Sequence, residues 1–146
     1  MPTRASLRDQ AISALSDGVT AVSGRVHASR FAPLASESNA GGATALPALL
    51  VYADKLQRDA EAASVHAVVV VLTVQVVAEA TTEAALESSL DSISASVETI
   101  ILSDSDLNEN LEGILQTQLE RETRQDADRY AGRDVHQYAL RWTEFI

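Results

Sequence analysis

The sequence contains no cysteine, so disulfide bonds and thiolate metal sites are both excluded. Aromatic residues make up only 4% of the chain, and lysine occurs once. No apolar stretch is long enough to span a bilayer as a helix, and the first ten residues are too polar for the apolar segment of a signal peptide. We therefore expect neither secretion through a signal peptide nor a membrane partner.

Charge is abundant but unevenly distributed. The net charge is −10, and the segment from Asp59 to Glu120 carries twelve acidic residues without a lysine or arginine. Proteins that bind nucleic acid normally present a basic stripe to the phosphates, so we expect no sequence-specific nucleic-acid binding. Two interpretations of the acidic block stay open. It forms a solvated face that aids solubility, or it faces the arginines of a neighbouring subunit.

Residue patterns typical of catalysis or ligand binding are missing from the sequence. The three histidines lie in predicted strands and have no partners at metal-ligand spacing. The Gly-Gly pair at 41–42 lacks the lysine and helix of a phosphate loop, and no serine lies in a G-x-S-x-G turn. The D-x-D pairs at 104–106 and 126–128 lack the glycine and distal glutamate of a calcium loop. We expect no catalytic residue, cofactor or metal site, and hence no enzyme.

The run AVVVVLTVQVVA at residues 67–78 is the longest uncharged apolar segment. Its density of β-branched residues predicts a strand of about 40 Å, at roughly 3.3 Å per residue. An ordinary strand is about half that long. A sheet face exposed to water would alternate apolar and polar residues, and this run barely does. We therefore expect both faces to be covered, one by a helix and the other by a second copy of the chain or a second helix.

The rest of the pattern predicts the order α-β-β-β-α-β-β. The first helix is capped by Ser6 and ends near Gly18, and the second begins at Thr81 or Thr82. The second helix carries one apolar stripe, formed by Leu86, Leu90, Ile93, Val97 and Ile100. The five strands are predicted at 24–31, 46–53, 65–79 (the long strand), 114–124 and 135–146. The segments 54–64, 103–110 and 125–134 are predicted turns or breaks.

This order predicts a single α+β domain over residues 1–146, with two helices packed on a mostly antiparallel sheet of four to five strands. The loop at 32–45 is rich in glycine and serine and is long for a compact domain. We interpret it as a mobile arm.

The segment order resembles a known protein family. The motif LPALLVY at 46–52 follows an N-terminal helix, a GRV segment at 24–26 and a loose loop. A long apolar strand, an acidic helix opening near Glu83 and a terminal strand with alternating aromatic residues come next. Together they resemble the tail terminator, or minor tail completion, proteins of long-tailed bacteriophages and phage-like particles.

The resemblance implies an α+β fold and a homohexameric ring that caps the tail tube, stops its polymerisation and provides the head-docking surface. It also implies two partners, the major tail tube protein and the head–tail connector proteins. The chain would lie at the head-proximal end of the virion tail, after assembly in the host cytoplasm. One alternative is a head–tail connector or neck protein of the same particle. Another is a small dimeric α+β binding module in which the long strand pairs across a two-fold axis.

Ring closure brings one surface of a subunit against a different surface of the next. The apolar candidates for this contact are Val69 and Val71 on the long strand. The ionic candidates are the acidic residues of the second helix and the arginines near the C-terminus, namely Glu83, Glu87, Asp91, Arg121, Arg124, Arg129 and Arg133. A solvated hairpin is the alternative interpretation for each arginine.

Overall fold

The computed structural model describes residues 2–28 and 46–145. The loop predicted as a mobile arm at 32–45 and the last residue, Ile146, lie outside the described residues. The elements are α1 (Arg4–Gly18), a 3-10 turn (Thr20–Val22), β1 (Val26–His27), β2 (Ala48–Ala62), β3 (Val65–Ala80), α2 (Glu83–Ser103), α3 (Ser105–Asn108), β4 (Gly113–Asp126) and β5 (Arg129–Phe145). The predicted α+β class and the order of its main elements are confirmed.

The five described strands form one sheet in the order β1-β2-β3-β5-β4. β1 is parallel to β2, and every other neighbouring pair is antiparallel. The long apolar strand β3 lies at the centre, paired with β2 on one side and with β5 on the other. Both of its edges are therefore occupied, and the alternative in which this strand pairs across a two-fold axis is wrong.

Successive side chains of β3 point to opposite faces of the sheet, and one set points towards the helices. Val68, Val70, Leu72, Val74 and Val76 are fully buried on that side, where α2 crosses β3 and β5. The predicted stripe of α2 is buried against them at Leu86, Leu90, Ile93 and Val97, although Ile101 completes it rather than Ile100.

No helix within the described residues is long and apolar enough to cross a membrane.

The first helix begins three residues earlier than the sequence predicts. Thr3 is its cap, and Ser6 is the reciprocal member of a capping box: the Ser6 amide donates to Thr3 Oγ1 over 3.0 Å, and the Thr3 amide donates to Ser6 Oγ over 2.8 Å. The helix ends at Gly18, as predicted, and a Cβ atom at Gly18 would overlap Ile100 Cδ1 of α2. Thr82 caps α2.

Several strands are longer than predicted. β2 continues through most of the polar segment 54–64, β5 starts at Arg129 inside the predicted turn, and the predicted break at 103–110 contains α3. Each backbone N–H and C=O group of the long β3 needs a hydrogen-bond partner. Its neighbours are therefore extended alongside it even where their side chains are polar. The β4–β5 connection shrinks to a two-residue turn, with Ala127 at a positive φ of 55°.

Candidate interaction surfaces

A buried polar cluster joins α2 to β4 and β5. The Asp134 carboxylate accepts a hydrogen bond from Ser94 Oγ over 2.5 Å, and from Arg121 Nε over 2.6 Å and Arg121 Nη2 over 2.7 Å. The Arg121 guanidinium also reaches Glu87 Oε2 at 2.6 Å and Asp91 Oδ1 at 2.8 Å. One arginine thus binds three carboxylates and holds the helix to the sheet.

The charges of this cluster shift each other's pKa. Burial alone would raise the pKa of Asp134, but hydrogen bonds from Arg121 and Ser94 outweigh burial and hold it below its ordinary value. The hydrogen bond to Asp134 is in turn the main cause that raises the pKa of Arg121. Both groups are therefore charged at neutral pH, and each stabilises the charged form of the other.

His136 completes the cluster as a neutral donor and acceptor. Its Nε2 lies 2.9 Å from Ser94 Oγ, and its Nδ1 lies 3.2 Å from Gln116 Nε2 and 3.3 Å from Tyr138 Oη. Because Ser94 donates its one proton to Asp134, its oxygen must accept a proton from His136 Nε2. The amide of Gln116 donates to Nδ1, so the network assigns the Nε2–H tautomer. Burial lowers the pKa of His136, which keeps the ring neutral.

The polarity of this serine–histidine pair is opposite to that of a nucleophile and its base. A catalytic histidine accepts the serine proton, whereas His136 donates to Ser94. Ser94 is 6% exposed and His136 is 0% exposed. Among the described residues, no group of three histidine, aspartate or glutamate side chains could hold a metal ion. The geometry is that of a structural clamp between α2 and the sheet.

Sequence reasoning missed this clamp because Ser94 lies 40 residues from Asp134 and 42 from His136. One signal was present in the sequence. Asp134 and His136 occupy alternate positions of β5 that continue into the buried Tyr138, Leu140 and Trp142. Polar residues at inward-facing positions of a strand are expected to be hydrogen-bonded within the fold.

The sheet face opposite the helices carries exposed apolar side chains. The predicted contact residues Val69 and Val71 lie on this face and are partly buried. Leu115 of β4, in the same cross-strand row as Val71, is 67% exposed, and Phe145 at the end of β5 is 75% exposed. We call this set (Val69, Val71, Leu115 and Phe145) the open apolar face. On the same face Arg141 bonds Glu61 over 3.3 Å and approaches Glu112 at 3.8 Å.

The predicted ionic residues divide into two groups. Arg121 pairs with Glu87 and Asp91 inside one chain, and Arg129 pairs with Glu79 over 3.0 Å. Within the described part of the chain, no ion pair involves Arg124, Arg133 or the exposed Glu83. The structure therefore brings together only Arg121, Glu87 and Asp91 of the predicted set.

Strand β4 forms one edge of the sheet. No described strand lies beyond it, and its only register irregularity falls between Gln116 and Gln118, which leaves Thr117 as an extra residue. The segment 113–119 (GILQTQL) is uncharged, whereas Glu120, Arg121, Glu122 and Arg124 follow in the second half. Leu119 points to the helix side of the sheet and is 49% exposed, so this edge carries one exposed leucine on each face.

No protein-family model matches the sequence, and no curated protein matches it. Among solved structures, the fold is similar to that of a chain in the virion of a native gene transfer agent (GTA) particle. The TM-score is 0.50 and the sequence identity is 13%, and the match covers 89% of this chain and 93% of that chain. At this identity the likeness shows a shared fold, and the shared fold extends over nearly all of both chains.

Proposed function

We propose that this chain is a structural protein of a phage-type virion and acts as a tail terminator. The observation that carries the proposal is the fold shared with a chain of a gene transfer agent virion over 89% of this chain and 93% of that one. The segment order and the motif at 46–52 independently resemble the terminator family. In this role six copies form a ring that caps the tail tube, stops its polymerisation and docks to the head connector.

The surfaces suit assembly better than catalysis. A cyclic ring needs two different patches on each subunit. The open apolar face supplies one patch, in which Leu115 and Phe145 are exposed and Val69 and Val71 are partly buried. The hairpin of β4 and β5 presents Arg124 and Arg133 without an ion pair within the described residues. The Ser94–His136 pair, by contrast, is buried and has the wrong polarity for a nucleophile.

The mass of the purified protein in solution tests the ring. Light scattering is expected to give six times the 15.6 kDa chain mass, and negative-stain microscopy should show rings. Because some ring proteins close only on their partner, the measurement is repeated after addition of tail tubes from the same particle. A stable dimer that forms no ring with or without tubes refutes the terminator.

Tube growth separates the terminator from the connector. Added to polymerising tube protein, a terminator should fix the tube length and label one end, which is head-proximal in the intact particle. A neck protein leaves tube length unchanged and binds the head connector instead. Unlimited growth of tubes in the presence of the protein therefore contradicts the terminator role.

A further inference from the structure

We propose that His136, Glu98 and Gln116 form a proton-driven switch between α2 and the sheet. While the imidazole is neutral, its Nδ1 accepts a hydrogen bond from the Gln116 amide. When Nδ1 takes up a proton, Glu98 replaces Gln116 as its partner, and the Gln116 side chain is released from the cluster. This exchange takes place inside one chain, so it goes beyond the proposed ring and can be measured in any oligomeric state.

The Gln116 side chain of β4 joins α2 to β5 through a single nitrogen atom. Its Nε2 lies 3.2 Å from Glu98 Oε1 on α2 and 3.2 Å from His136 Nδ1 on β5. An amide nitrogen has two protons to donate, so it serves both neighbours only while both are acceptors. The neutral Nε2–H tautomer of His136 meets that condition.

A proton on Nδ1 is incompatible with this arrangement. Protonated histidine is a donor at both ring nitrogens, so Nδ1–H and the Gln116 amide become two donors that face each other. Rotating the amide by half a turn does not restore both bonds. The amide oxygen would accept from His136 but would also face the Glu98 carboxylate, which is a second acceptor. Gln116 therefore cannot keep both partners once the ring is charged.

Glu98 is placed to accept the new proton. Its Oε1 lies 3.9 Å from His136 Nδ1, and no other carboxylate of the described residues is paired with this ring. The Glu98 side chain is 35% exposed, so it has room to move closer. Hydrogen bonds with an ionised donor or acceptor are about twice as strong as neutral ones, and here both groups would be ionised. The carboxylate therefore outcompetes the neutral amide for Nδ1–H.

The remaining groups around the ring set the pH of the exchange without taking part in it. Asp134 on β5 is bound to Arg121 of β4 over 2.6 Å. Tyr138 Oη lies 3.3 Å from Nδ1 and, as a hydroxyl, can turn to accept a proton. Burial lowers the pKa of the imidazole, Glu98 and Asp134 raise it, and Arg121 lowers it. Because burial outweighs the carboxylates, the exchange occurs below the ordinary histidine range.

Nuclear magnetic resonance of the 15N-labelled protein tests the exchange, since the His136 ring nitrogens and the Gln116 side-chain amide give separate signals. The pH is lowered from 7.5 until Nδ1 is protonated. At that midpoint the protection of the Gln116 amide protons against exchange with water should fall about tenfold or more, because a bonded amide exchanges only after local opening. An amide that stays protected after His136 is charged overturns the proposal. Unfolding of the whole chain before the ring is protonated also overturns it.

Glu98→Gln tests the accepting carboxylate. In this variant His136 should take up its proton at a lower pH than in the parent, because a charge that raises its pKa is gone. Glu83→Gln is the matched control, since Glu83 is exposed in the first turn of the same helix, about 22 Å away at roughly 1.5 Å per residue. It should leave the midpoint unchanged. An unchanged midpoint in Glu98→Gln, or an equal shift in both variants, overturns the proposal.

Discussion

Ser94 donates its hydroxyl proton to Asp134 over 2.5 Å, and this bond decides the role of the neighbouring His136. With its proton committed to the carboxylate, Ser94 can only accept from the imidazole. The same three residue types that make a catalytic triad elsewhere here form a clamp that joins α2 to β5. Arg121 stabilises the clamp by neutralising Asp134 from β4.

Acid should weaken the fold in two stages, and His136 is responsible for the first. Burial lowers the pKa of His136 below the ordinary value near 6.5. Below that value the unfolded chain binds a proton that the folded chain excludes, so stability is lost as the pH falls from 7 to 5. The loss from this group reaches at most about 2 kcal/mol at pH 5. Urea unfolding at pH 7.5, 6 and 5 measures it.

His136→Gln should flatten this part of the pH dependence, and His66→Gln, at a partly buried position near the start of β3, should retain it. The second stage follows below about pH 4, where Asp134 begins to take up a proton in the unfolded chain because its pKa is lowered only in the fold. An unchanged pH profile in His136→Gln contradicts the neutral, buried histidine.

Removal of the Arg121 side chain should be strongly destabilising. Arg121→Met leaves the Asp134 carboxylate, which is 1% exposed, without its cationic partner. Breaking one side of a buried ion pair costs about 3–5 kcal/mol. Denaturant unfolding measures the loss. Arg124→Met is the control, because Arg124 lies three residues along the same strand, is exposed and has no ion pair in the described chain. Its effect should stay within about 0.5 kcal/mol.

Gly132 marks a close approach of α2 to β5. A Cβ atom at this position would lie 2.7 Å from Leu90 Cδ1 and 3.2 Å from Leu86 Cδ2, both in the core. Gly132→Ala should therefore overpack the helix–sheet junction and cost about 1–3 kcal/mol in the free energy of unfolding. Gly113→Ala is the control, since a Cβ atom there meets nothing within 4 Å. Equal stability of the two variants contradicts the close packing.

Adjacent valines of β3 should separate folding from assembly. Val70 is fully buried under the helices, and Val70→Asp places an unpaired charge in the core, so the chain should fail to fold. Val71 lies on the open apolar face, so Val71→Asp should fold, with a native circular dichroism spectrum, but lose the proposed ring contact. Light scattering of the folded variant measures the second effect. A ring that survives Val71→Asp removes this residue from the interface.

Local patterns predicted the elements better than their ends. The stripe from Leu86 to Val97 predicted a helix and the apolar run of β3 predicted a strand, because helix and strand periodicity depends only on near neighbours in sequence. The polar composition of the segment 54–62 predicts a turn, yet the segment is part of strand β2 in the fold. Its backbone pairs with β3 through two register shifts, and that pairing outweighs the weak preference of its polar side chains.

The sequence by itself determined the α+β class, the absence of thiol chemistry and the acidic block, since these follow from composition and periodicity. Only the tertiary structure decided that β3 is central and that β4 is an edge, because strand order depends on pairings between distant segments. It likewise decided that Arg121 binds Glu87 and Asp91 within its own chain. These carboxylates lie 30 or more residues away in sequence, and only the packing of α2 on the sheet brings the charges within 3 Å.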